Sequence, residues 1–266
     1  MSRAVFATAT LSFVGGFVDV VGFIALFGLF TAHVTGNFIM LGLEMVHATK
    51  LAIAKLLAVP IFIVMVALTR LFVLHYEKKG ESPWREMLLV QVVLLACFMI
   101  AGGMTTPHAD PNDLGPVVAG LLGVAAMAVQ NAGSRLILAN HGPTTMMTGN
   151  TTQAVIDLVD ILRGLPEENP QARKRLKLLV PAILAFTAGA LLGALSYVTF
   201  SFWCLIVPIV ALPLYLKAGS PQLPDVPLAA RMANAEQLAT FVAISLLSIG
   251  GKVVVVDGFD VARILD

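Results

Sequence analysis

The segment Phe30-Thr31-Ala32-His33-Val34-Thr35-Gly36-Asn37 is a polar interruption between a long apolar stretch and a short one. Its core recurs 113 residues later as Thr148-Gly149-Asn150, preceded by Thr145-Met146-Met147. Glycine permits a tight backbone turn and asparagine is a favourable helix N-cap. Each Thr-Gly-Asn therefore predicts a helix break, followed by a short helix that Asn37 or Asn150 caps. Two equivalent breaks at one offset indicate an internal repeat.

The composition is that of an integral membrane protein. Of the 266 residues, 58% are hydrophobic and 12% are charged, whereas soluble domains carry about 25% charged residues. The mean hydropathy is +0.89. A net charge of +1 without a basic cluster gives no indication of nucleic-acid binding. Cys97 and Cys204 lie alone in apolar stretches, so we expect reduced, structural cysteines and neither a metal nor a cofactor.

Six apolar stretches are candidate membrane spans, because a helix needs about 20 apolar residues to cross a bilayer. The first stretch is too long for the core of a signal peptide and contains Asp19, so we interpret it as a span. Two further apolar pieces, Phe38–Val46 and Thr151–Leu162, each follow a Thr-Gly-Asn and are too short to cross. The six candidates are Ala4–Phe30, Leu51–Leu74, Met87–Met104, Leu114–Ala139, Leu178–Phe200 and Phe202–Leu216.

The distribution of basic residues predicts the orientation. The loops Tyr76–Glu86 and Arg163–Lys177 are rich in Lys and Arg, whereas Thr105–Asp113 has neither. The positive-inside rule places both basic loops and both termini in the cytoplasm. Three spans per half make the second half enter the membrane in the opposite sense. The predicted fold is all-α, with six transmembrane helices in two inverted three-helix repeats, about residues 4–104 and 114–217. Residues 218–266 are predicted to be a cytoplasmic or interfacial tail.

Polar residues within the apolar stretches predict a site near the membrane midplane. Asp19 precedes Thr35 by 16 residues and Asn131 precedes Thr148 by 17. A carboxylate at bilayer depth costs about 2.5–3.5 kcal/mol, so Asp19 should face the bundle interior, either in a site or in a structural hydrogen bond. The N-terminus of each short helix favours an anionic or dipolar group. The predicted substrate-binding residues are Asp19, Thr35, Gly36, Asn37, Gln130, Asn131, Thr148, Gly149 and Asn150.

Five more residues are candidates for coupling or gating. His33 titrates near neutral pH. Arg135, one turn after Asn131, either pairs with Asp19 or extends toward the headgroups. Glu44 and Asp157 each follow the motif asparagine by seven residues, and Gln153 shares a helix face with Asp157. The coupling or gating candidates are His33, Glu44, Arg135, Gln153 and Asp157.

Several of these segments resemble the YoaK family of bacterial inner-membrane proteins. They are Gly16-Phe17-Val18-Asp19, Phe30–Leu41, Gln130-Asn131-Ala132 and Met147-Thr148-Gly149-Asn150, and the resemblance covers about residues 5 to 217. It implies a multi-pass protein of the inner (plasma) membrane. It implies no established substrate or reaction, so the function rests on inference from the residues.

The predicted function is secondary transport of a small polar or anionic solute, coupled to protons or another cation, by alternating access around a midplane site. The chain has no Walker motif for direct ATP drive. The alternative is a channel or a membrane scaffold. An intramembrane enzyme would need Asp19 and Asp157 close enough to share a proton, and no catalytic motif supports it, so we predict no enzymatic activity. The expected partners are the lipid bilayer and an unidentified solute or ion, and homo-oligomerisation stays open.

Overall fold

A computed structural model describes residues 3–47, 52–108, 110–138, 143–164 and 169–216, and the predicted tail at 218–266 lies outside these ranges. Within them the chain is helical and contains no strand. The helices are α1 (Arg3–Ala25), α2 (Gly36–Val46), α3 (Ile53–Glu77), α4 (Trp84–Thr105), α5 (Leu114–Leu136), α6 (Met147–Arg163), α7 (Asn169–Phe200) and α8 (Ile206–Leu216).

Five described segments are long and apolar enough to cross a membrane. Four of them are α1, α3, α4 and α5, and the fifth is the 46-residue stretch Pro170–Tyr215, which contains α7 and α8. A 3₁₀ turn at Ser201–Leu205 separates α7 from α8, and Ser201 adopts a left-handed φ of 50°. The all-helical membrane fold predicted from the composition is therefore confirmed, and the chain is a multi-pass membrane protein.

The closest packing in the bundle joins α1 to α7. A Cβ atom on Gly16 would lie 2.2 Å from the carbonyl oxygen of Phe186, and one on Gly189 would lie 2.1 Å from that of Phe13. Only glycine fits such backbone contacts, as in other membrane helix pairs. The contact of Gly193 with Phe17, four residues further along both helices, shows that α1 and α7 run parallel.

Contacts near the helix ends give the directions of the other helices. Gly115 of α5 packs on Thr105 of α4, while Gly133 packs on Met87, so α4 and α5 are antiparallel. Helix α8 is also antiparallel to α4. Its end carries Tyr215 beside Trp84, with ring centroids 5.8 Å apart, and the turn before it places Phe202 against Gly102.

Helix α1 is antiparallel to α5, whereas α3 is parallel to it. The side chain of Gln130 bonds the carbonyl of Leu11, and Gly120 packs on Leu26, so α1 and α5 are antiparallel. Helix α3 runs in the direction of α5, because Ala54 near the start of α3 lies against Gly120, and Phe62 further along α3 lines a cleft with Asn131, further along α5. Thus α1, α4 and α7 point one way, whereas α3, α5 and α8 point the other.

The two short helices begin earlier than the sequence predicts. Helix α2 starts at Gly36 and α6 at Met147, so Asn37 and Asn150 lie inside the first turns. The N-cap positions are held by Thr35 and Met146 instead. The N-cap prediction for the two asparagines is therefore wrong. The physical reason is that each carboxamide bonds the backbone seven residues upstream rather than a backbone N–H of its own helix.

Candidate functional site

The asparagines of the two motifs hold equivalent hydrogen bonds. The carboxamide of Asn37 accepts from the backbone N–H of Phe30 and donates to its carbonyl, both at 2.9 Å. Asn150 donates to the carbonyl of Pro143 at 2.8 Å. Proline has no N–H to offer in return, so the second half has one of the two bonds. Both asparagines are buried. Each one therefore fixes the non-helical segment that leads into its short helix.

Asp19 fixes the same segment in the first half. Its carboxylate accepts from the backbone N–H groups of Thr31 at 2.8 Å and Ala32 at 2.7 Å. Its second oxygen is 2.6 Å from Nδ1 of His33. Asp19 thus pairs with His33, and the alternative pairing with Arg135 is not the one found. In the part of the chain that the structure describes, Arg135 makes one hydrogen bond, to Sδ of Met146 at 3.3 Å.

Amides replace the carboxylate in the second half. The hydroxyl of Thr145 donates to Oδ1 of Asn131 at 2.6 Å. Gln130 donates to the carbonyl of Leu11 at 2.9 Å and accepts from Gln91 of α4 at 2.7 Å. The sequence reasoning missed Gln91, although a lone amide in the apolar stretch of α4 was a visible signal. This buried network ties α1, α4 and α5 together behind the second motif.

The acids Glu44 and Asp157 form equivalent ion pairs. Glu44 of α2 pairs with Lys55 in the first turn of α3, and the Lys55 side chain is 1% exposed. Asp157 of α6 pairs with Arg175 of α7 and also accepts from Gln153 at 2.9 Å. The guanidinium of Arg175 holds the pKa of Asp157 below its ordinary value. Sequence reasoning missed both basic partners, which stand early in the helix that follows each short helix.

One cleft brings the two motifs together, and we call it the motif cleft. It has a volume of about 530 Å³, which is within the size range of small-molecule sites. Its polar lining comes from both halves, and its apolar lining includes Val59 and Phe62 of α3. The polar residues on it are His33, Thr35, Asn131, Arg135, Thr148 and the backbone at Gly149.

A second cleft, which we call the aromatic cleft, opens between α1, α2 and α7. It has a volume of about 850 Å³. Asp19 and the backbone at Gly36 are on its lining, together with the rings of Phe23, Phe30 and Phe186. The remaining lining residues are Gly16, Val20, His33, Thr35, Ile39, Met40 and Ala190.

The predicted site is therefore divided into two clefts that share one wall. His33 and Thr35 line both of them, and the imidazole also lies against the backbone of Thr145. Asn37, Gln130 and Asn150 are buried and support these walls through hydrogen bonds. In the described ranges, no group of three His, Cys, Asp or Glu side chains could hold a metal ion.

These features define a multi-pass helical membrane protein with two short helices that begin inside the bundle. The family model described as "Protein of unknown function (DUF1275)" matches residues 7–217, and the chain belongs to that family. YoaK is a member of the same family, so the resemblance found in the sequence is confirmed. Neither a curated protein nor a solved structure shows significant similarity to the chain.

Proposed function

We propose that this protein is a secondary transporter for a small anionic solute, with the motif cleft as its central site. The observation that carries the proposal is the meeting of Thr35 with Thr148 and Gly149 in one cleft. These residues come from different halves of the chain. A site at the interface of two repeats, formed by interrupted helices, is typical of secondary transporters.

We further propose that the bundle is an inverted repeat of six spans, in which α1 to α4 correspond to α5 to α8. Support comes from the helix directions, since α1 and α5, α3 and α7, and α4 and α8 point in opposite senses. The matched asparagine bonds and the matched Glu44 and Asp157 ion pairs add support. In this arrangement the basic loops and both termini lie at the cytoplasmic face of the inner membrane.

The chemistry of the motif cleft favours an anion. Arg135 contributes a guanidinium, and the described residues give it no carboxylate partner. The first turn of α6 lies on the same cleft, and within the described residues no side chain caps it. Its free N–H groups and the helix dipole favour negative charge. Asn131 and Thr148 add neutral hydrogen-bonding groups that orient a polar solute.

Asp19 and His33 supply a place for a coupling proton. Their side chains form a hydrogen-bonded pair on the wall between the clefts. An imidazole gains or loses a proton near neutral pH, which changes the charge of this wall. A wall that moves when His33 gains or loses its proton would couple a proton gradient to alternating access of the motif cleft. We expect no enzymatic activity, because Asp19 and Asp157 bind different partners.

Uptake into proteoliposomes tests the transport proposal. A panel of radiolabelled organic and inorganic anions is offered with and without an imposed pH gradient. We expect saturable, gradient-dependent uptake of at least one anion and its loss in Arg135→Gln. The matched control is Arg85→Gln, which removes an exposed arginine that is not on either cleft. Non-saturable flux would favour a channel, and absence of flux for every anion would contradict the proposal.

A further inference from the structure

The two clefts are neighbours across a wall one chain segment thick. This wall is the stretch Ala32–Thr35, and His33 and Thr35 present atoms to both clefts. Asp19 holds the wall in place from the α1 side through the backbone of Ala32 and the imidazole of His33. A solute in the motif cleft is thus separated from the aromatic cleft by the His33 and Thr35 side chains.

The aromatic cleft is suited to an apolar or aromatic body. The rings of Phe23 and Phe30 lie 4.7 Å apart, and His33 contacts Phe186 edge-on at 5.6 Å. The carboxylate and the imidazole at its base already bond each other. What remains for a ligand is ring surface and aliphatic side chains, which bind apolar groups and prefer offset or edge-on aromatic rings.

The motif cleft is suited to the opposite kind of group. The guanidinium of Arg135 carries a full positive charge, and in the described part of the chain its one acceptor is the thioether of Met146. A thioether is a weak acceptor, whereas a carboxylate binds guanidinium in a planar, two-bond arrangement. Arg135 therefore lacks the acceptor that its geometry fits best, and Asn131 lies one turn away on the same cleft.

We propose that the transported solute is a small amphiphilic carboxylate, with its carboxylate bound beside Arg135 and its apolar or aromatic body extending into the aromatic cleft once the His33 and Thr35 side chains move aside. This inference rests on the proposed transport function and names the substrate class of that site. A molecule that occupies the two clefts together must carry both groups. An inorganic anion would bind only in the motif cleft, and a neutral hydrocarbon would bind only in the aromatic cleft.

A matched series of probes tests the substrate class. Full-length protein in nanodiscs is titrated with acetate, benzoate, 2-naphthoate and 2-naphthalenemethanol, with empty nanodiscs as the blank for partition into lipid. The readout is the ligand-induced shift in thermal unfolding, fitted to an apparent Kd. We expect affinity to rise from acetate to benzoate to 2-naphthoate. The neutral alcohol should bind at least about tenfold more weakly than 2-naphthoate, because it lacks the charge that Arg135 binds.

Two variants separate the two clefts. Phe186→Ala should weaken 2-naphthoate binding by about tenfold, the value of one well-placed aromatic contact, and leave acetate binding unchanged. Arg135→Gln should weaken the binding of all three carboxylates and leave the weak binding of the neutral alcohol unchanged. Phe72→Ala is the control ring, since Phe72 contacts Tyr76 and is not on either cleft.

The outcomes distinguish this inference from the proposed function. Suppose that Arg135→Gln abolishes acetate binding and that the aromatic acids bind no more tightly than acetate. The anion site would then stand, and the proposal of an amphiphilic substrate would be overturned. Equal effects of Phe186→Ala and Phe72→Ala on 2-naphthoate would overturn it as well. If Arg135→Gln weakened the binding of none of the probes, both proposals would be contradicted. If Phe186→Ala does not fold, Phe186→Leu provides the same comparison with a non-aromatic side chain of similar volume.

Discussion

Asp157 on α6 binds Arg175 on α7 through both of its carboxylate oxygens. Nε of Arg175 lies 3.0 Å from Oδ2, and Nη2 lies 2.6 Å from Oδ1. The Asp157 side chain is fully buried, whereas that of Arg175 is 39% exposed. The pair is equivalent to Glu44 with Lys55 in the other half, and each joins a short helix to the long helix after it. Each ion pair therefore helps to hold a short helix against the long helix that follows it.

The unequal burial of this pair predicts unequal costs of removing its partners. Arg175→Gln leaves a buried carboxylate for which Gln153 is the only donor among the described residues, and should destabilise the protein by about 3 kcal/mol. Asp157→Asn leaves an arginine that water can reach, and should cost about 1 kcal/mol. Denaturant unfolding in mixed micelles measures both. Equal costs for the two variants would mean that burial of Asp157 does not determine the energy of the pair.

The same pair predicts a dependence of stability on acid pH. The pKa of Asp157 is lower in the folded protein than in the unfolded chain, because Arg175 stabilises the carboxylate. Its contribution is therefore complete at neutral pH and is lost as pH falls through the folded-state pKa, below about pH 4. The difference in Tm between wild type and Asp157→Asn should be constant from pH 7 to about pH 5 and should narrow below about pH 4. Thr151→Ala removes an exposed side chain of the same helix that carries no ionisable group, and it is the control, for which the difference in Tm should stay constant.

The two asparagine bonds predict an asymmetry between the halves. Asn37→Asp keeps the acceptor for the N–H of Phe30 and loses the donor to its carbonyl, whereas Asn150→Asp loses its bond to Pro143 and gains none. Both Asp variants would also bury a carboxylate, which adds a cost unrelated to the bonds lost. Replacement by Ala removes two backbone bonds from the first half, and from the second half one backbone bond and a weak contact with Sδ of Met147 at 3.7 Å. Asn37→Ala should therefore cost more than Asn150→Ala, by about 1 kcal/mol in the free energy of unfolding. A larger cost for Asn150→Ala would contradict this account of the motif.

The α1–α7 contact predicts strong sensitivity to small substitutions. Gly16→Ala and Gly189→Ala would each bring a methyl group within 2.2 Å of a backbone carbonyl, so the helices must separate. We expect loss of the monodisperse folded protein, measured by size-exclusion chromatography in detergent. Gly42→Ala on α2 is the matched control, because nothing lies within 4 Å of its added Cβ. It should be neutral or stabilise the helix by up to about 1 kcal/mol.

The sequence predicted which groups matter better than it predicted their geometry. The offset of 113 residues identified the matched Asn37 and Asn150 and the matched Glu44 and Asp157. It did not reveal Lys55 or Arg175 as their partners, because the separations along the chain are 11 and 18 residues and follow no common rule. Helix starts were misplaced for a related reason. An asparagine that could cap its own helix bonds a carbonyl seven residues earlier, and only the path of the chain decides between the two.

By itself the sequence determined that this is an all-helical membrane protein and that two polar breaks recur in its two halves. Hydropathy and a repeated motif are properties of composition and order, and the need to satisfy backbone groups in lipid converts them directly into helices. Only the tertiary structure decided that His33 rather than Arg135 pairs with Asp19, and that the polar residues line two clefts with a shared wall. Those relationships depend on how the chain turns back after α1 and how the helices pack around that turn, which a linear pattern does not contain.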